Sequence, residues 1–167
     1  MKFLTVLMLF FGLVFAFDTS VFPKPKDGES LQTLTLKPLK NEQNYKVEVE
    51  FGKIVEVDCN HHFFIGGKLE QKNLDGYGYV YYKFSAKADM AGTLMACGDT
   101  KKEAKFIKFE PKISTYYNSA LPLIIYTPKD VKIRYKVYKL VDEKFVDVVD
   151  DEAKKLQTDS NSSLAKP

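Results

Sequence analysis

The sequence has no tryptophan, only two cysteines and only two histidines in 167 residues. Two cysteines exclude a Cys-only zinc site and a dense disulfide framework. The histidines, His61 and His62, are adjacent. Adjacent side chains on a strand face opposite ways, so the pair does not converge on one ion and no metal is expected. Also missing are Gly-x-Ser-x-Gly, His-Glu-x-x-His and a phosphate loop. Gly76-Tyr77-Gly78 lacks the third glycine and the following helix of a dinucleotide fingerprint. Without a convergent set of ionisable groups, neither enzymatic activity nor a cofactor is expected. Charge of one sign is scarce too: 25 Lys and Arg against 22 Asp and Glu leave +3. That excess is too small and too evenly spread for a nucleic-acid partner.

One long apolar run is present. Lys2 precedes a nearly unbroken stretch from Phe3 to Phe17 with a small residue at Ala16. This pattern reads as a secretory signal peptide over residues 1–16, cut near Ala16. The run falls short of the roughly 20 residues of a membrane span, so no membrane association is expected after processing. Loss of Lys2 leaves 24 basic and 22 acidic residues, a charge of +2. The processed chain is expected in the periplasm or outside the cell, where disulfides persist. Cys59 and Cys97, 38 positions apart, should therefore pair. A loop of that span is worth at most about 4 kcal/mol.

Thirteen Phe and ten Tyr favour strands. Residues 17–30, with Pro23, Pro25 and Gly28, read as a flexible arm. Beyond it apolar residues recur with period 2. Leu34 and Leu36 alternate with threonines. Tyr45, Val47, Val49 and Phe51 alternate with Lys46, Glu48 and Glu50, and Ile54, Val55 and Val57 follow. Tyr77, Tyr79 and Tyr81, then Phe106–Phe109, Leu123–Tyr126 and Val131–Leu140, complete the runs. Turn signals stand at Gly52, Gly66-Gly67, Asp75-Gly76, Gly98-Asp99, Pro111, Pro122 and Thr127-Pro128. No helical stripe precedes residue 150. The fold class is all-β, an antiparallel sandwich or partial barrel over residues 31–141. Phe145, Val146, Val148 and Val149 suggest one more short strand within 142–150. Residues 151–167 are charged, then rich in Ser and Asn, and read as a disordered tail. Within it Asn161-Ser162-Ser163, with Asp159 two residues before, is an N-glycosylation acceptor pattern.

Met90–Gly98 is uncharged and apolar yet contains Ala91, Gly92 and Ala96, poor strand residues. Two readings are open: a buried strand, or an exposed loop with Leu94 and Met95 at its tip and one end pinned by Cys97. Exposed apolar residues on a pinned loop would need a partner surface.

An ordered series of motifs bears on that choice. Val55-Glu56-Val57-Asp58-Cys59-Asn60, Gly66-Gly67-Lys68-Leu69-Glu70 and Gly76-Tyr77-Gly78-Tyr79-Val80-Tyr81-Tyr82 come first. Thr93-Leu94-Met95-Ala96-Cys97, Lys101-Lys102-Glu103, Tyr117-Asn118-Ser119, Leu121-Pro122 and Tyr126-Thr127-Pro128 follow. Together, over residues 30–140, they resemble ecotins, periplasmic inhibitors of chymotrypsin-fold serine proteases. The resemblance implies a β sandwich, a homodimer made by exchange of C-terminal strands, a primary loop for the protease active site and a secondary protease-binding surface. Carried over by position, the reactive bond is Leu94–Met95 within the loop Gly92, Thr93, Leu94, Met95, Ala96, and Asn60 braces that loop. The secondary surface maps to Leu74, Tyr77, Val80, Tyr116, Tyr117, Asn118, Ala120 and Leu121. The dimer strand is expected at Phe145, Val146, Val148 and Val149. The chain departs from the family pattern at several places. Leu94 stands where Met is frequent, Gly92 where a hydroxyl residue is common, and Tyr77, Tyr116 and Ala120 replace Trp, Arg and Lys. One extra residue follows Cys59, and glycine at 92 is expected to loosen the loop. The competing reading is a non-inhibitory periplasmic binding or adhesion module using the tyrosine-rich strand.

Overall fold

In residues 45–57 the alternation works as a strand requires. Val47, Val49 and Phe51 are fully buried while Lys46 stays in water. The computed structural model describes residues 17–98 and 101–145, apart from the Ala88 side chain. It contains seven strands: β1 (Glu29–Leu34), β2 (Tyr45–Val57), β3 (His62–Leu74), β4 (Tyr79–Gly92), β5 (Glu103–Tyr116), β6 (Leu123–Pro128) and β7 (Lys132–Lys139). A single 3-10 turn, Glu42–Asn44, leads into β2. The strands hydrogen-bond in the order β1-β6-β4-β3-β5-β2-β7 and curl into an open half-barrel, the all-β class expected.

Aromatic rings close the curl. Phe51 of β2 stacks on Phe84 of β4 with centroids 4.3 Å apart. Phe84 meets Phe109 of β5 edge-on at 5.0 Å, and Phe109 stacks on Phe64 of β3 at 4.6 Å. Rings in these offset and edge arrangements add to the energy of burial. Val47, Val49, Ile107, Ile113, Ile125 and Val131 fill the space around them.

Three of the expected turns lie inside strands. β2 runs unbroken through Gly52. A Cβ there would fall 2.5 Å from both the Phe106 ring and the Ile107 carbonyl oxygen, so the glycine makes room for a neighbour rather than a bend. Gly66 and Gly67 (φ 97° and 90°) lie in β3 where the register against β4 shifts: Gly67 alone faces Ala86 and Lys87, so the extra residue of the bulge is on β4. Reading Gly66-Gly67 as a turn leaves 62–74 without a strand in the sequence; the fold has a 13-residue strand there. Pro111 occupies a second bulge, where Lys108–Lys112 of β5 faces only Gly52–Glu50 of β2. Proline is tolerated at bulges because the missing N–H has no ladder partner to lose. This bulge swings Phe109 across to Phe64, the point where β5 meets β3.

The sheet is also not antiparallel throughout. β4 pairs β6, and β3 pairs β5, in parallel. The β4–β5 link passes β3 and the β5–β6 link passes β3 and β4, so β5 and β6 each settle beside a strand they do not directly follow, and a crossover lets such neighbours run parallel. The arm expected over residues 17–30 has no strand up to Gly28, but β1 takes its last two residues, Glu29 and Ser30, and the arm is pinned. Phe22 is buried beside Tyr79 and Tyr81, and the Tyr126 hydroxyl donates to the Pro23 carbonyl at 2.5 Å. β7 is clamped to β2 by Glu50, a buried carboxylate that accepts from Arg134 (2.8 Å) and Lys136 (2.7 Å). Burial pushes its pKa up, and the two cations outweigh that and hold it below the usual value. The signal peptide, Val146, Val148, Val149 and Asn161 fall outside the described residues.

Candidate functional site

The β3–β4 ladder ends at the pair His62 and Gly92. One further backbone bond, from the Thr93 N–H to the His61 carbonyl (3.0 Å), marks where β4 gives way to a loop. Of the two readings of Met90–Gly98, the structure has strand to Gly92 and an exposed loop from Thr93. Leu94 is 102% exposed and Met95 61%. Cys97 is bonded to Cys59, as the export signal led us to expect. The bridge ties the far side of the loop to the β2–β3 connection.

Asn60, buried in that connection, grips both neighbours of Leu94. Its Oδ1 accepts the Met95 N–H at 2.7 Å and the Thr93 hydroxyl at 2.9 Å. Its Nδ2 donates to the Met95 carbonyl (3.3 Å) and to Asp58 Oδ2 (3.1 Å). The Thr93 hydroxyl also accepts the His61 N–H at 3.1 Å. Asp58 Oδ1 accepts the Asn60 N–H (2.9 Å) and lies 2.7 Å from His62 Nε2. The His62 hydrogen bond, then those of Asn60, pull the Asp58 carboxyl down to about 2. Loop 93–97 thus presents the Leu94–Met95 peptide bond to solvent. No bond of this set goes to Leu94 itself.

Gly92 has a packing role at the end of β4. A Cβ there would lie 2.7 Å from His62 Nδ1 and 2.9 Å from the His61 carbonyl, so the position is filled by packing. The sequence reading missed both Asp58 and His62. The available signal was an Asp and a His four positions apart, bracketing Cys59-Asn60.

The second predicted surface assembles at the other end of the hairpin. Asp75–Gly78 forms the β3–β4 turn, with positive φ at Gly76 (77°) and Gly78 (69°) and the Tyr77 N–H bonded to the Leu74 carbonyl at 3.2 Å. Tyr77 and Val80 project from it, and Leu74 is half-buried beneath. Tyr116 projects from the end of β5 and Leu121 from the β5–β6 link, where the Asn118 Oδ1 accepts the Ala120 N–H at 2.9 Å. Val80, Tyr116, Asn118 and Leu121 border one cleft of about 430 Å³. Tyr117 departs from expectation: it is buried in the core with its hydroxyl donating to the Lys37 carbonyl at 2.6 Å. It supports the surface from below, because alternate residues leaving β5 point inward and Tyr116 takes the outward place. About 12 residue steps separate the two ends of β3, roughly 40 Å of strand.

A family model described as Ecotin matches residues 18–140. A Serratia proteamaculans protein named Ecotin is 44% identical over 123 residues, 72% of each chain. A Pseudomonas fluorescens protein of the same name is 41% identical over 127 residues, covering 75% of this chain and 80% of its own. A second Pseudomonas fluorescens protein named Ecotin is 38% identical over 128 residues, with 75% and 79% covered. The match spans both the gripped loop and the cleft surface, and on that breadth the chain belongs to the ecotin family, a family of serine-protease inhibitors.

Proposed function

We propose that this chain inhibits chymotrypsin-fold serine proteases in the manner of a substrate, with Leu94–Met95 as the reactive bond. The observation that carries this is the full exposure of Leu94 on a loop gripped on both sides by Asn60 and closed by Cys59–Cys97. A loop already held in its bound shape has little entropy to lose on docking. The Leu94 side chain fills an apolar specificity pocket, Thr93 lies before it in the cleft and Met95 just beyond the scissile bond. After attack on the Leu94 carbonyl carbon, the Asn60 grip and the disulfide keep the Met95 amine in place. The bond then reseals faster than water hydrolyses the acyl-enzyme.

The surface of Leu74, Tyr77 and Ala120 together with the cleft residues Val80, Tyr116, Asn118 and Leu121 serves as the secondary protease contact. It lies about 40 Å along β3 from Leu94, so a protease seated on the loop does not reach it within the same protomer. A homodimer supplies it from the second protomer and converts the second contact into an intramolecular one. The free edge of β7 suits the pairing. This edge strand carries exposed Tyr135, Val137 and Tyr138, and Leu140, Val141 (93%) and Phe145 (98%) continue beyond it. The protein acts in the periplasm after removal of residues 1–16.

The test is a titration of chymotrypsin-, elastase- and trypsin-type proteases with the processed chain. Stoichiometric inhibition, stronger for the apolar pockets than for trypsin's acidic one, is the expected outcome. Undiminished cleavage at micromolar protein overturns the reading. The alternative of a binding module on the tyrosine strand has less support, since Tyr79, Tyr81 and Tyr82 are turned partly into the protein's clusters. Sedimentation of the processed chain beside one ended at Leu140 tests the dimer, with a monomer expected only for the shorter chain.

A further inference from the structure

The grip of Asn60 on the loop is only as good as its aim. The terminal torsion of an asparagine is broad, so what bonds Nδ2 sets where Oδ1 points. Here Nδ2 donates to Asp58 Oδ2. The Asp58 side chain is itself 41% exposed, and a carboxylate open to water has little reason to keep one orientation. Its other oxygen, however, accepts the Asn60 N–H at 2.9 Å and also faces His62, the one side chain of this set besides Asn60 that holds it, which is 15% exposed. A carboxylate only accepts, so the imidazole Nε2 carries the proton of the 2.7 Å bond. The ring is in turn seated over Gly92, in the space a Cβ would occupy. Gly92 is covalently joined to Thr93. The contacts therefore form a closed circuit from Gly92 through His62, Asp58 and Asn60 back to Thr93 and Met95.

We propose that His62 is a positioning residue of the reactive loop: seated over Gly92, it fixes Asp58 and, through Asp58, the Asn60 amide that holds Thr93 and Met95. Its effect on inhibition rests on the reading of Leu94–Met95 as the reactive bond; its effect on the free loop does not. The consequence for inhibition follows from which atom Asn60 holds. When the protease serine oxygen bonds to the Leu94 carbonyl carbon, the bond from that carbon to Met95 nitrogen breaks. The serine proton ends on that nitrogen, which leaves as an amine. The same nitrogen is the one whose N–H rests on Asn60 Oδ1 at 2.7 Å. A well-aimed Asn60 returns it to the ester and the peptide reforms with the proton back on serine. A loosely aimed one lets water take its place.

Two substitutions separate position from bulk. His62→Phe keeps a ring over Gly92 and loses the bond to Asp58. His62→Gln keeps a donor. Hydrogen exchange of the Met95 amide in the free protein is expected to quicken about tenfold in His62→Phe, as befits the loss of one hydrogen bond that supports another. Hydrolysis of the Leu94–Met95 bond by chymotrypsin should rise by a similar factor, with the melting temperature unchanged. His62→Gln should return both rates to within about threefold of the parent, since its amide restores the donor to Asp58. If His62→Phe lowers the melting temperature, Asp58→Asn decides instead, because it keeps the shape and removes the carboxylate from the circuit. Its Met95 amide should exchange faster to the same extent. Parental Met95 exchange in the deciding variant, or His62→Gln no better than His62→Phe, overturns the proposal. A parent chain that inhibits no protease overturns the functional reading alone, and Met95 exchange still settles the role of His62.

Discussion

At one end of the β3–β4 hairpin Leu94 projects from a loop; at the other Tyr77 projects from a turn. The turn end rests on a hydrophobic base. Leu74 and Tyr79 pack on the cluster of Phe22, Ile124 and Tyr126, to which the arm contributes Phe17 and Val21. The loop end has no such base. Its anchors are a disulfide, the Asn60 amide, the Asp58 carboxylate and the His62 ring. The contrast has a physical cause. A segment whose apolar side chains Leu94 and Met95 are exposed gains no stability from burying them, so its order comes from polar and covalent bonds to its backbone. The turn offers single side chains from a backbone that the sheet already fixes.

The largest expected effect belongs to the loop end. Leu94→Asp places a charge in an apolar protease pocket and should weaken inhibition of chymotrypsin-type enzymes by about 3–5 kcal/mol, on the order of a hundred- to several-thousand-fold. The change is at the surface of the free protein, so its melting temperature should stay put. Measured inhibition constants equal to the parent's would mean that Leu94 does not enter the pocket.

Replacing Cys59 and Cys97 by Ser should lower stability by up to about 4 kcal/mol, read from denaturant midpoints. The comparison sharpens if the loss is local as well as global. The double variant should be cut between Leu94 and Met95 while the Tyr77 turn resists proteolysis.

Phe22→Ala is the mirror experiment. It empties a buried site in the smaller cluster and should cost about 3 kcal/mol. Amide exchange should quicken at Tyr77 and Tyr79 and stay unchanged at Met95. Faster exchange at Met95 would show that the two ends are coupled through the hairpin.

The smallest effect is the titration of Asp58. Its carboxyl is held at about 2 against an ordinary 3.8, so its contribution is present above the ordinary value and fades as pH falls through 2. Heteronuclear NOE values of Thr93 and Met95 should hold from pH 6 to pH 4 and drop between pH 4 and pH 2. The Tyr77 turn, set by glycine backbone angles and a backbone bond, does not depend on that group. A loop that loosens near pH 5 would point to another titrating group.

Much of this contrast was legible in residues alone. The alternation at Val47, Val49 and Phe51 announced a half-buried strand, and Ala91, Gly92 and Ala96 weakened the case for a strand through 98. The export pattern made Cys59 and Cys97 partners. Other features were misread for a shared reason. Gly52, Gly66, Gly67 and Pro111 are local punctuation in a sequence, yet here each serves a neighbour distant along the chain or a bulge. Tyr117 looked like its exposed neighbour Tyr116 because the register at the end of β5 is not written in the residue types.

What the sequence determined by itself was the all-β class, the disulfide pair and the apolar loop, since these depend on period, composition and compartment. The tertiary structure decided that Asn60 would meet Thr93 and Met95, that His62 would fill the place left by Gly92, and that Leu94 would stand clear of both. Those contacts join residues 30 or more positions apart, and only the pairing of β3 with β4 brings them together.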